Sequence, residues 1–238
     1  MTPLEYALVV AAVVAAFVVS ASAGLGGSLI LVPALALVLG TKEGVALAAL
    51  LLAVNNVVKV FAYRSSIPLR KSIWIVLATI IGTAIGASLL VAVPDDVVTV
   101  AVIACFVLAL LLERLELNTA KRAAAPGFAV ASGLTSGFSG TSGPLKGVAI
   151  RTLDLDRQHF VGAASVVSFA GDLTKTAVFT DAQLLGPDSF RVALAALPLM
   201  IGATFLGRHL NQRVGERGFT VLFWSVMAGY TARLLSTL

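Results

Sequence analysis

The chain has 238 residues, of which 58% are hydrophobic and 12% charged, with a mean hydropathy of +0.99. An average soluble chain is about 25% charged, so a soluble globular protein is excluded, and no hydrophilic stretch is long enough for a separate soluble domain. The net charge of +5 comes without a basic run or interleaved aromatics, which argues against nucleic acid as a partner and assigns the positive charge to membrane topology.

Residues 5–40 carry no charge between Glu5 and Gly40, and hold Gly24, Gly26, Gly27 and Pro33 near their middle. As one helix this piece would be ~54 Å long, well beyond a hydrocarbon core of ~30 Å. It therefore reads as a helix to about Ser22, a glycine turn, and a return helix from near Ser28. The form Ala21-Ser22-Ala23 resembles a signal-peptidase site, but the opening MTPLEY is acidic and more apolar sequence follows, which argues against cleavage.

The second element, 44–63, carries Asn55, Asn56 and Lys59, and Arg64, Pro68, Arg70 and Lys71 form the loop after it. Residues 72–92 make a clean span with Gly82 and Gly86 at the GxxxG spacing that suits close helix approach. Asp95 and Asp96 mark the next turn, and 97–112 form a further span ending at Glu113, Arg114 and Glu116. The segment 127–150 contains Ser132, Gly133, Ser136, Gly137, Ser139, Gly140, Thr141, Ser142, Gly143 and Pro144. Such a run is expected to break the helix, and it is too short for two full spans, so it reads as a re-entrant hairpin. A polar connector, 151–159, leads to the helix 160–180, where Ser165, Ser168, Asp172 and Lys175 share one stripe that must face away from lipid. An acidic loop, 181–189, precedes two last spans, 190–206 and 218–238.

The chain repeats itself. Advancing by 116 residues carries Gly24 onto Gly140, Gly27 onto Gly143, Asn56 onto Asp172 and Lys59 onto Lys175; a shift of 121 carries Arg70 onto Arg191 and Gly86 onto Gly207. This divides the chain into two membrane repeats, 1–119 and 120–238. The positive-inside rule puts Arg64, Arg70, Lys71, Arg114, Lys121, Arg122, Arg151, Arg157, Arg208, Arg213 and Arg217 on the cytoplasmic side, against Lys42, Arg191 and Arg233 outside. The expected fold is thus all-α and integral to the membrane. It comprises two inverted-topology repeats, each a broken or re-entrant hairpin plus three transmembrane helices, the build of many secondary transporters.

Lys59 and Lys175 are held near the bilayer centre, where a lysine costs about 2.5–3.5 kcal/mol on the insertion scale. Two such cations, together with helix starts exposed at Gly24–Ser28 and Gly140–Gly143, favour an anion as cargo. Asn55, Asn56, Ser165, Ser168, Thr141 and Ser142 are candidates for neutral hydrogen bonds. Simpler roles stand beside these: Lys175 paired with Asp172 one turn back, Lys59 snorkelling toward Arg64, and Lys146 capping a helix or reaching the cytoplasmic surface. An enzyme lacks support. There is no GxSxG, no metal cluster, and Cys105 has no histidine near it in an apolar helix.

The stretch SAGLGGSLILVPALALVLG (22–40) resembles the first-repeat signature of the TauE/SafE sulfite-exporter family, and SGFSGTSGPLKG (136–147) resembles its second. The resemblance implies a membrane transporter of small sulfur-containing anions, sulfite or organosulfonates, commonly moved outward, working without a cofactor. By position it places Gly24, Gly26 and Gly27 in the first glycine motif and Gly140, Ser142, Gly143 and Pro144 in the second. Ser28, Thr141 and Ser142 stand where further glycines are common, and Lys146 where an apolar residue is usual. The expectation is an alternating-access carrier in the cytoplasmic membrane. Its substrate site would be drawn from Lys59, Lys175, Asn55, Asn56, Gly24, Gly26, Gly27, Ser28, Gly140, Thr141, Ser142, Gly143, Lys146 and Ser168, with Asp172 as a proton-coupling acid. A passive anion channel is the alternative, and a homo-oligomer is left open.

Overall fold

A computed structural model describes residues 10–21 (12 and 19 apart), 27–114, 124–141 and 143–211. The described residues are helical throughout apart from short turns. A first helix, α1, covers the described positions between 10 and 21. It is followed by α2 (Gly27–Leu39), α3 (Thr41–Ala62), a 3-10 turn (Arg64–Ser66), α4 (Leu69–Ala92) and α5 (Asp95–Arg114). After these come α6 (Ala125–Ser139), α7 (Gly143–Arg151), α8 (Arg157–Asp181) and α9 (Pro187–Asn211). Three of them, Thr41–Ala62, Leu69–Ala92 and Pro187–Gly207, are long and apolar enough to cross a membrane.

The helix ends follow from local chemistry. Gly40, at φ 97°, turns the chain between α2 and α3 in a conformation that other residues rarely adopt. Asp156 caps α8 by accepting from the backbone N–H groups of Gln158 and His159, both at 3.0 Å. Those donors, with the His159 ring at 2.6 Å, hold the exposed Asp156 carboxyl below the usual carboxylate range. Pro187 opens α9 and Pro126 lies in the first turn of α6, positions where the missing N–H has no helical partner anyway.

The run of small residues before Gly140 departs from expectation. The expected break in 127–150 comes only at the end of this run: α6 stays helical through Ser132, Gly133, Ser136 and Gly137 to Ser139, and the chain turns at Gly140, a left-handed C-cap at φ 75°, before α7. The reason is packing. A Cβ on Gly82 or Gly86 of α4 would lie 2.2 Å from the Val130 carbonyl or 2.1 Å from that of Leu134; on Gly133 or Gly137 of α6 it would meet the Thr79 or Thr83 carbonyl at 2.4 or 2.3 Å. The two helices interlock backbone to backbone, and this contact repays the poor helix propensity of glycine. On α9, by contrast, a Cβ at Gly202 would have nothing within 4 Å among the described residues. Ile73, Leu77, Ile81, Ile85 and Leu89 form an exposed apolar stripe on α4, while Thr79, Gly82, Thr83 and Gly86 are buried, as suits one lipid-facing and one bundle-facing side.

Helices α3 and α8 lie side by side and antiparallel. Ala62 and Tyr63 at the end of α3 meet Val161 near the start of α8, and Gly162 approaches so closely that a Cβ would be 2.3 Å from the Ser66 carbonyl. Arg64, Arg70, Lys71 and Arg157 therefore gather at one end of the bundle. At the other, Lys42 of α3 is ion-paired to Asp95 of α5 at 3.0 Å, and Thr41 and Thr99 share a 2.7 Å hydrogen bond.

Candidate anion site

Midway along the α3–α8 contact, where two apolar helices would be expected to interlock aliphatic side chains, the chain places amides and charges. Asn56 donates Nδ2 to Oδ2 of Asp172 at 2.7 Å, a bond between residues 116 apart. The second oxygen of Asp172 accepts from Lys175 at 2.7 Å, so the ion pair considered for Lys175 is present. Both carboxylate oxygens are engaged, as burial of a charge demands.

Neither central lysine snorkels. Lys59 is 0% exposed and Lys175 1%. Lys59 donates to Ser20 Oγ of α1 at 3.0 Å and Lys175 to Ser136 Oγ of α6 at 3.1 Å, each bond spanning 39 residues. In each case a serine on a different helix meets the ammonium. Lys146, in the short α7, is half-buried and turns inward to α8. It donates to Ser168 Oγ at 2.7 Å. Lys59 lies within electrostatic reach of Lys146 and Asp172, and Lys146 within reach of Lys175. Three ammonium groups thus surround one carboxylate, an excess of two positive charges (3 − 1) when all four are ionised.

The start of α2 and the Gly140 turn meet beside this group. Ser28, in the first turn of α2, donates to Thr141 Oγ1 at 3.4 Å, immediately after the Gly140 turn. Gly140 packs on α2, where a Cβ would stand 2.8 Å from Val32. Gly27, the first residue of α2, is packed likewise, with a Cβ position 2.7 Å from Ser20. Helices α2 and α7 therefore begin side by side, and helix N-termini with free N–H groups are natural neighbours for an anion.

Not every candidate converges. Asn55, though buried, turns the other way and accepts from Thr204 of α9 at 2.8 Å. Gly24, Gly26 and Ser142 lie outside the described residues, and Gly143 is the first residue of α7. Ser20 and Ser136 were not anticipated. A lone serine in an apolar helix carries no signal by itself, yet these two stand 116 residues apart, at the shift that relates Lys59 to Lys175. Among the described residues no group of histidine, cysteine, aspartate and glutamate could hold a metal ion.

The family model for Sulfite exporter TauE/SafE matches residues 8–234. No curated protein and no solved structure matches the chain.

Proposed function

The chain belongs to the sulfite exporter TauE/SafE family of membrane transporters, and from that premise we propose that it is a multi-pass secondary transporter of the cytoplasmic membrane. It carries a small sulfur oxyanion, sulfite or an organosulfonate, by alternating access between two inverted repeats. The observation that carries this reading is the matched pair of buried bonds, Lys59 to Ser20 and Lys175 to Ser136, on either side of the Asn56–Asp172 contact. Burying these cations is costly, and a negatively charged cargo is the simplest reason to keep them.

The repeat reading draws support from the helix starts. Gly27 and Gly143 open α2 and α7, and Thr41 and Arg157 open α3 and α8, each pair 116 residues apart. The antiparallel run of α3 against α8 suits inversion about an axis through Asn56 and Asp172. In this cycle Asp172 is also the proton site. Protonating it would end its pairing with Lys175 and release that ammonium to the anion, which couples anion movement to the proton gradient.

Exchange in proteoliposomes tests the proposal. A carrier loaded with unlabelled sulfite takes up labelled sulfite against its concentration gradient, with a rate that saturates. Steady single-channel currents and no counterflow would instead establish the passive anion channel.

A further inference from the structure

One place where the two halves of the chain differ lies at Asn55. On α3, Asn55 fills the space beside α9, and its Oδ1 accepts from Thr204 Oγ1 at 2.8 Å. The residue 116 positions on from Asn55 is Gly171, and the residue 121 positions before Thr204 is Thr83. Here there is no side chain to answer the hydroxyl. A Cβ built on Gly171 would lie 3.4 Å from Thr83 Oγ1 and 3.4 Å from Thr79 Cγ2, both ordinary contacts.

The buried hydroxyls of the interlocked α4 and α6, of which Thr83 faces this glycine, are unusual in a second way. Serine and threonine in a helix commonly satisfy themselves on the carbonyl one turn back, as Ser72, Thr135, Ser165, Thr174, Thr176 and Thr180 do here. Thr79, Thr83 and Ser132 do not. All three are buried (3%, 0% and 0% exposed), and their hydroxyls have no hydrogen-bond partner among the described residues. The positions that correspond to two of them are fully packed: Met200 of the second repeat answers to Thr79, and Ala16 of the first to Ser132, each 0% exposed. The second half also holds Lys146 and Ser168 where the first has the buried Ile30 and the core residue Leu52.

We infer that Thr79, Thr83 and Ser132, with the space left by Gly171, form the subsite that receives the oxygens of the transported oxyanion. One anion oxygen takes the place that the Asn55 carbonyl oxygen occupies in the other half, accepting from the Thr83 hydroxyl as Asn55 accepts from Thr204. The site is near the charges along the chain: Gly171 precedes Asp172 on α8, and Ser132 is one turn from Ser136, the partner of Lys175. The cargo is thereby held between α4 of the first repeat and α6 and α8 of the second, with Lys175 and, across the Asn56–Asp172 contact, Lys59 supplying charge and three hydroxyls supplying directed hydrogen bonds. This inference rests on the two-repeat transporter reading.

The test compares full-length purified variants by thermal shift with sulfite and with sulfate, and by calorimetry with sulfite. Thr83→Val should weaken sulfite binding tenfold or more while leaving the unliganded melting point unchanged or raised, because a buried hydroxyl without a partner is removed. Gly171→Asn should reproduce the Asn55–Thr204 arrangement, preserve the fold and abolish binding. Thr204→Val should do the reverse, lowering the unliganded melting point and leaving sulfite affinity intact. Wild-type affinity in Thr83→Val and Gly171→Asn would overturn the subsite while leaving the transporter reading standing. A stabilisation that follows sodium concentration at constant anion, and disappears in Thr83→Val, would overturn it in favour of a cation site. A wild-type protein that neither anion stabilises would overturn the parent reading and this inference together.

Discussion

Asn56 and Asp172 meet at 2.7 Å although 116 residues separate them in the chain, and that same interval carries each onto the other when the two halves of the sequence are superimposed. On the proposed two-repeat reading the contact is one between equivalent positions, as expected of residues beside a pseudo-two-fold axis. Each is followed three residues later by a buried lysine, Lys59 or Lys175. The halves differ in that one presents an amide where the other presents an acid.

That relationship makes exchange of the two side chains informative. Asn56→Asp alone sets two carboxylates at hydrogen-bonding distance in a buried site, and should destabilise the protein by roughly 3 kcal/mol or more. Combined with Asp172→Asn, the carboxylate moves to position 56, three residues before Lys59, and much of that loss should return. A double-mutant cycle in detergent unfolding should give a favourable coupling of at least about 1 kcal/mol. Additive effects would mean that the two positions are not equivalent.

Substitution of Asp172 by asparagine also bears on proton coupling. The amide keeps one acceptor oxygen, for Lys175 or for Asn56 but not for both as they are placed, and it cannot titrate. Transport in proteoliposomes should continue at a reduced rate with its dependence on the pH gradient abolished. A full pH dependence in Asp172→Asn would assign coupling elsewhere.

The site was legible in the sequence where a costly residue recurred. Lys59 and Lys175 stand out because lysine is rare in apolar helices, and the shift that aligns them also aligns Asn56 with Asp172. Ser20, Ser136, Thr79 and Thr83 were not legible, since a hydroxyl in a membrane helix usually bonds its own backbone and says nothing of its neighbours. The run from Ser132 to Ser139 misled for a related reason. Small residues suggest a loop when judged one at a time, but their spacing at Gly133 and Gly137 matches Gly82 and Gly86, and tertiary contact with α4 overrides local propensity. Asn55 was grouped with Asn56 because they are adjacent, whereas neighbours on a helix point about 100° apart.

The α4–α6 interlock makes a prediction about stability. Gly86→Ala would bring a methyl carbon to 2.1 Å from the Leu134 carbonyl, so the helices must separate, at a cost of about 1–3 kcal/mol. Gly202→Ala, with nothing within 4 Å, should be neutral or stabilise by up to about 1 kcal/mol. Equal melting points for the two variants would show that α4 and α6 are not in close contact.

Topology follows from the two ends of the bundle. In a Cys105→Ala background, a cysteine introduced at Asp96 should react with a membrane-impermeant maleimide applied to intact cells. A cysteine introduced at Ser65, between Arg64 and Arg70, should react only after the cells are opened. The opposite pattern would invert the assigned orientation.

Asp156 sets the response of α8 to acid. Its carboxyl is held below the usual range, so its folded-state value is depressed. The capping contribution is therefore present at neutral pH and lost only as pH falls through that lowered value. Asp156→Ala should lower the melting point at pH 7, and the gap from wild type should narrow in strong acid. A gap that stays constant to acid pH would mean that ionised Asp156 is not the cap.

Sulfite binding to Lys59→Met and Lys175→Met, measured by calorimetry beside Lys42→Met, tests the account most directly. Each central substitution should weaken binding at least tenfold, about 1.4 kcal/mol, while Lys42→Met, which removes only the outer pair with Asp95, should bind as wild type does. Unchanged sulfite affinity in both central variants would contradict the claim that these two buried lysines hold the anion.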